Sequence, residues 1–139
     1  MFKTEKDLVE SALPLIQSFF ASEDEVIIVQ EPKGLFGIPD VLLYNGEVVA
    51  IEFKLKNWKK ALQQAFRYRS FSCESYVFLD SYYIGSAVRN LDEFERFNIG
   101  LCGVTEEGIE TYHKPSRKNP FSNDLISKAY EILEVSVGL

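Results

Sequence analysis

Pro39-Asp40-Val41-Leu42-Leu43-Tyr44-Asn45-Gly46-Glu47-Val48-Val49-Ala50-Ile51-Glu52-Phe53-Lys54 is the stretch whose reading decides the fold. Two apolar runs flank Tyr44-Asn45-Gly46, the pattern of an antiparallel hairpin over residues 40–43 and 47–53. Register then sets which residues share a face. A two-residue Asn45-Gly46 loop pairs Tyr44 with Glu47, gives Asp40 the parity of Ile51 and sends it to the face opposite Glu52. A three-residue loop, Tyr44-Asn45-Gly46, pairs Leu43 with Glu47 and returns both acids to one face, with Gly46 in the left-handed conformation that such a bulge needs. The three-residue loop, or an equivalent bulge, is the expectation. It directs Val41, Leu43, Val49, Ile51 and Phe53 together into a helix-covered core layer.

Working outward, Lys54 lies two residues beyond Glu52 and so shares its face. A helix is expected over residues 57–71, with Trp58, Ala61, Leu62 and Ala65 on one side. Upstream, Thr4 and Asp7 mark a helix start. That helix runs to about Phe20, with Leu8, Ala12, Leu15, Ile16 and Phe19 as its apolar stripe and Pro14 as a point of kinking. Val26-Ile27-Ile28-Val29 reads as a strand. Downstream the pattern predicts a strand over 76–79, a helix over 86–97, strands over 99–104 and 109–113, and a final helix from about Asn123. Residues 114–120 form the longest break, too short for a linker between domains. The order α, three strands, α, β, α, β, β, α implies one α/β domain over residues 1–139, a central mixed sheet with helices on both faces.

Composition fits that picture. The chain has 139 residues, 46% of them hydrophobic and 26% charged, which suits one packed domain. Cys73 and Cys102 are too few for a disulfide framework, and both read as reduced core thiols of a cytoplasmic protein. The charged start of the chain and the lack of a long apolar run argue against secretion and against membrane insertion. The net charge of −6 opposes binding nucleic acid through overall charge. Local distribution differs, because Lys54, Lys56, Lys59, Lys60, Arg67 and Arg69 occur without an intervening acid, and Lys114, Arg117 and Lys118 form a second group. Two readings stand for these groups, a solvated surface or a surface that meets phosphates.

Hard divalent cations prefer carboxylate oxygens, polarise a phosphoryl oxygen and acidify water, which is what phosphodiester hydrolysis requires. Asp40 and Glu52 are suitable ligands, the Phe53 carbonyl a further one, and the Lys54 ammonium can orient the attacking water or steady developing charge. Pro39-Asp40 at the mouth of the hairpin, Glu52-Phe53-Lys54 at its end and the helix after it resemble the PD-(D/E)XK nuclease superfamily, also called the restriction endonuclease-like fold. Gln64-Ala65-Phe66-Arg67-Tyr68 on the following helix is similar to the Q-x-x-x-Y motif of its RecB-like group. The resemblance covers roughly the first 80 residues. It implies a deoxyribonuclease that uses Mg²⁺ or Mn²⁺.

The resemblance also implies a glutamate of the first helix near the metal, and Glu5, on the apolar side of the helix, suits this better than Glu10. Glu5 could equally serve the positive end of its own helix. Glu31 is a further outer acid. Gln64 and Tyr68, four apart on a helix, are neighbours that could support the site or contact DNA backbone; an ordinary helix edge with a half-buried tyrosine is the alternative. Lys56, Lys59, Lys60 and Arg67 would hold the phosphates. His113 is the sole histidine, which argues against chemistries that need several imidazoles. No phosphate-binding glycine loop and no serine-hydrolase elbow occurs. So small a chain has little spare surface for reading sequence, which favours a structure-selective enzyme, a homodimer or a module directed by a partner protein. The alternative class is a nucleic-acid-binding or assembly module of the same fold with little catalysis.

Overall fold

A computed structural model of the chain describes residues 1–135. The last four residues of the expected domain lie outside the described residues. Helix α1 (Glu5–Phe19) starts where expected, with the Thr4 hydroxyl accepting the Asp7 N–H at 3.0 Å, and it continues through Pro14. Leu8, Ala12 and Ile16 are its buried stripe. Strands β1 (Ile27–Gln30), β2 (Val41–Tyr44) and β3 (Val48–Lys54) follow, then helix α2 (Trp58–Tyr68) and strand β4 (Glu74–Asp80). Helices α3 (Gly85–Val88) and α4 (Leu91–Phe97), strands β5 (Gly100–Val104) and β6 (Ile109–His113), and helix α5 (Asn123–Leu133) complete the order.

The six strands form one mixed sheet in the order β1-β2-β3-β4-β5-β6. The β1/β2, β2/β3 and β5/β6 pairs are antiparallel, while β3/β4 and β4/β5 are parallel. Parallel neighbours need a crossover, and α2 supplies the first and α3 with α4 the second. Side chains alternate across the sheet. Val41, Leu43, Val49, Ile51 and Phe53 pack with Leu8, Ala12 and Ile16 of α1 on one face, as the hairpin pattern predicts. Leu42, Val48 and Ala50 pack with Tyr68, Ala129 and Leu133 on the other, so helices cover both faces.

The hairpin loop is one residue further along than expected. Tyr44 pairs with Val48 rather than Leu43 with Glu47, and the three loop residues are Asn45-Gly46-Glu47. The cause is tertiary. Asn45 is buried and its side-chain amide donates to the Phe20 carbonyl at the end of α1, which fixes it at the start of the turn, where its N–H donates across to the Glu47 carbonyl. Gly46 has the expected positive φ, +103°. The shift leaves parity unchanged, and one step beyond the Val41–Ile51 pair brings Asp40 opposite Glu52.

Two helices differ from expectation. Residues 86–97 are not one helix. A 3-10 turn over Ser81–Tyr83 precedes α3, and Asn90 breaks the run with its side-chain amide donating to the Ser86 carbonyl at 2.8 Å. Helix α2 stops at Tyr68 instead of Phe71, because the Ser70 and Phe71 N–H groups bond three residues back and the Ser72 hydroxyl donates to the Tyr68 carbonyl. Cys102 is buried and Cys73 only partly so, and both thiols are free.

Candidate active site

The two acids are fixed by different means. Asp40 lies just before β2, and its Oδ2 accepts the Phe53 N–H at 2.7 Å, which locks the carboxylate against the end of β3. Glu52 sits inside β3, 3% exposed, and its Oε1 accepts from the Tyr68 hydroxyl at 2.7 Å. Each carboxylate therefore has one oxygen tied to the protein. The other is left for something else. Residues directly opposite on neighbouring strands have Cβ atoms about 5 Å apart, so the remaining oxygens belong to one small region.

Electrostatics make this region costly while the charges stand alone. Burial raises the Asp40 pKa, against the lowering effect of the Phe53 N–H and of Lys54. Burial first, and then the Asp40 charge, push Glu52 up to about 7, although the Tyr68 hydrogen bond and Lys54 oppose them. Lys54 Nζ stands 4.0 Å from Glu52 Oε2 and 3.7 Å from Glu5 Oε1, at the limit of an ion pair. One ammonium held loosely between two glutamates does not neutralise the Asp40–Glu52 pair.

The donor set suits a hard divalent cation. Two carboxylates each present a spare oxygen, and Mg²⁺ commonly binds through one or two carboxylates while keeping waters. The backbone carbonyl of Phe53 is a further oxygen at the same strand end. Its side chain is buried on the opposite face, as expected. Among the described residues, however, no three Asp, Glu, His or Cys side chains converge on a point that would hold a metal. Glu5 is thus not a third acid of the cluster. It lies half-exposed in the first turn of α1 with its carboxylate directed to Lys54, so the inward aim expected for it is corrected to a place on the rim.

Glu5, Glu10, Glu31 and Asp40 share a cleft of about 420 Å³ with Lys6, Val9 and Gln30. Glu10 pairs with Lys6 at 3.9 Å and does not reach Lys54, in line with the preference for Glu5. Glu31 takes a positive φ of 48°, and its N–H donates to the Asp40 carbonyl.

On α2, Tyr68 is 1% exposed and cannot present itself to DNA backbone. Its expected surface role is replaced by an internal one, with the hydroxyl between Glu52 and the Ile38 carbonyl, 3.0 Å away. Gln64, one turn earlier, has its Oε1 buried with no partner. An orphaned buried acceptor one helical turn from the tyrosine that holds Glu52 marks a place where a donor is missing. The basic residues divide. Lys60 and Arg67, with Gln64 between them, fall at i, i+4 and i+7 on one stripe, and both cations are exposed. Lys56 lies over the Tyr83 ring, and Lys59 over Trp58 beside a separate groove. The second basic group is remote. Arg117 pairs with Glu47 and with Glu74, which starts β4 opposite Val49, roughly 16 Å along the strand from Lys54.

Sequence reasoning missed the loop between β1 and β2. Pro32 and Pro39 are buried at its two ends and Leu35 packs into the core, yet Phe36 and Ile38 face solvent. The available signal was a pair of apolar residues between glycines, Gly34-Leu35-Phe36-Gly37-Ile38, directly before Pro39-Asp40.

No family model matches the chain, and no curated protein matches it. Among solved structures it is similar to the SPO1766 protein of unknown function from Silicibacter pomeroyi, with a TM-score of 0.67 and 12% identity, covering 96% of this chain and 85% of that one. At that identity the likeness bears on the fold alone. No helix among the described residues is long and apolar enough to cross a membrane.

Proposed function

We propose that this chain is a divalent-metal-dependent nuclease of the PD-(D/E)XK type that hydrolyses DNA phosphodiester bonds in the cytoplasm. One observation carries this. Asp40 and Glu52, brought opposite one another at a strand end, each keep one carboxylate oxygen free beside the Lys54 ammonium. A bound Mg²⁺ or Mn²⁺ would neutralise the pair, polarise the phosphoryl group and supply an acidified water nucleophile.

The protein's own groups divide the remaining work. The Phe53 N–H and the Tyr68 hydroxyl hold the two acids in place, so that little reorganisation is needed when substrate arrives. Lys54, largely buried between Glu52 and Glu5, donates to the attacking water or to the charge that grows on the phosphorus centre. Lys60 and Arg67 meet phosphates along the α2 stripe, and the orphaned Gln64 Oε1 accepts from a water at the site. Lys56 and Lys59 serve a strand that extends past the start of α2. A second protomer or a partner protein supplies any sequence preference.

Incubation of the purified protein with supercoiled and linear DNA in Mg²⁺, Mn²⁺ or EDTA tests this. Cleavage is expected with metal, and it should disappear in EDTA and in Asp40→Ala and Lys54→Ala. Equal cutting by the variants, or intact DNA under every condition, overturns it. A binding or assembly module without catalysis is the reading favoured by the lack of a third converging acid among the described residues. It predicts DNA binding without any cleavage.

A further inference from the structure

The loop before Asp40 presents apolar side chains where a soluble protein has reason to hide them. Phe36 is 51% exposed and Ile38 49%, although the loop itself is anchored by buried Pro32, buried Pro39 and the packed Leu35. Its path is pinned again at Gly37, where φ is +83° and the Tyr68 ring stands 3.0 Å from the place a Cβ would take, and at Ile38, whose carbonyl accepts from the Tyr68 hydroxyl. Packing therefore holds these two side chains outward.

Position and charge narrow the occupant. Ile38 is two residues from Asp40, and Phe36 lies within about 7 Å of backbone from Ile38, so both stand at the edge of the carboxylate pair. The Arg67 guanidinium sits over the Phe36 ring at 5.8 Å, with Lys60 two turns earlier on the same stripe of α2 and Lys33 exposed in the same loop. An apolar ring backed by a cation and flanked by lysines matches a nucleotide, whose base stacks and whose phosphate is anionic. A chain of net charge −6 gains little from duplex phosphates at large. Stacking has to supply what charge does not.

We infer that Phe36 and Ile38 form a stacking site for unpaired nucleobases beside the carboxylate pair. This rests on the proposed nuclease function and names its substrate class, DNA with exposed bases, single-stranded or flapped, in preference to intact duplex. A base held on Phe36 places the adjoining phosphate toward Asp40 and Glu52, and Arg67 meets the next phosphate along the strand.

The test is fluorescence anisotropy of a labelled single-stranded oligonucleotide in EDTA, against the same strand made abasic and against a blunt duplex. Wild type is expected to prefer the strand with bases by roughly tenfold, about 1.4 kcal/mol. Phe36→Ala should abolish the preference and Phe36→Trp restore it. Equal affinity for abasic and base-containing strands overturns the site, as does a Phe36→Ala variant that retains the preference. The abasic comparison needs no variant, so it decides the matter even if Phe36→Ala unfolds. Base preference without metal-dependent cleavage leaves the stacking site standing and removes the nuclease; cleavage without base preference does the reverse.

Discussion

The Tyr68 hydroxyl lies 2.7 Å from Glu52 Oε1 and 3.0 Å from the Ile38 carbonyl oxygen. One hydroxyl hydrogen faces two acceptors. When Glu52 is ionised, the tyrosine donates to it. When Glu52 carries a proton, it can donate to the tyrosine, which is then free to bond the loop carbonyl. The protonation state of an acid in β3 is thereby coupled to the loop that carries Phe36.

Tyr68→Phe removes this relay and leaves the Ile38 carbonyl and Glu52 without their donor. The hydroxyl lowers the Glu52 pKa, so its loss should move the acid limb of kcat/KM toward higher pH. Unsatisfied buried acceptors cost about 1–3 kcal/mol. A pH–rate profile and a urea titration of the variant check both effects. An unmoved acid limb would mean that Glu52 is not the group whose ionisation activates the site.

Glu52 also makes stability depend on pH. Its carboxyl is pushed from an ordinary 4.5 up to about 7, so the folded chain holds a proton that the unfolded chain has released. Without metal, stability is expected to fall as pH rises from about 4.5 to about 7, by on the order of 3 kcal/mol. Glu52→Gln, which cannot ionise, should lack most of that slope and be the more stable protein at pH 8. Mg²⁺ should then raise the urea midpoint of wild type at pH 8 and raise that of Glu52→Gln much less, because one of the two carboxylate ligands is gone. Urea midpoints at pH 5 and pH 8, with Mg²⁺ and with EDTA, read all of this. Parallel pH slopes in the two proteins would refute it.

Much of this arrangement was legible in residue alternation. A period of two assigned Val41, Leu43, Val49, Ile51 and Phe53 to one core layer and put Asp40 and Glu52 on the other face, and the sheet confirms both assignments. The loop position escaped because it depends on Asn45 bonding to Phe20, a contact 25 residues away that no local pattern encodes. The break at Asn90 escaped for a related reason, since the residues on either side are good helix formers and a side-chain bond to Ser86 decides the matter. Four-residue spacing put Gln64 and Tyr68 side by side but could not say which was buried. Burial turned Tyr68 from a surface contact into the group that orients Glu52.

Gly37 and Gly34 provide a paired control on the loop. Both have positive φ, +83° and +94°, so alanine costs about 1–2 kcal/mol of backbone strain at either. Only at Gly37 does the added Cβ meet the Tyr68 ring, at 3.0 Å; at Gly34 nothing lies within 4 Å. Gly37→Ala should lose activity together with stability, whereas Gly34→Ala should lose stability alone. Melting temperature and kcat measured on both variants separate the two. Equal activity in both would show that the Gly37–Tyr68 contact does not position Glu52.

Glu5→Gln distinguishes a ligand of the cation from a partner of Lys54. Glu5 approaches Lys54 at 3.7 Å from a half-exposed position and joins no three-acid cluster among the described residues. Exposed ion pairs contribute little to stability, typically about 0–1 kcal/mol, so the variant should fold as wild type does. The neutral amide keeps a hydrogen-bond acceptor for the ammonium but removes the charge that draws it. Lys54 then turns more fully toward Glu52. Cleavage should fall severalfold through kcat, with the Mg²⁺ concentration for half-maximal rate unchanged. A large rise in that concentration would instead identify Glu5 as a metal ligand, reached by closure of α1 over the cleft once the cation and DNA are present.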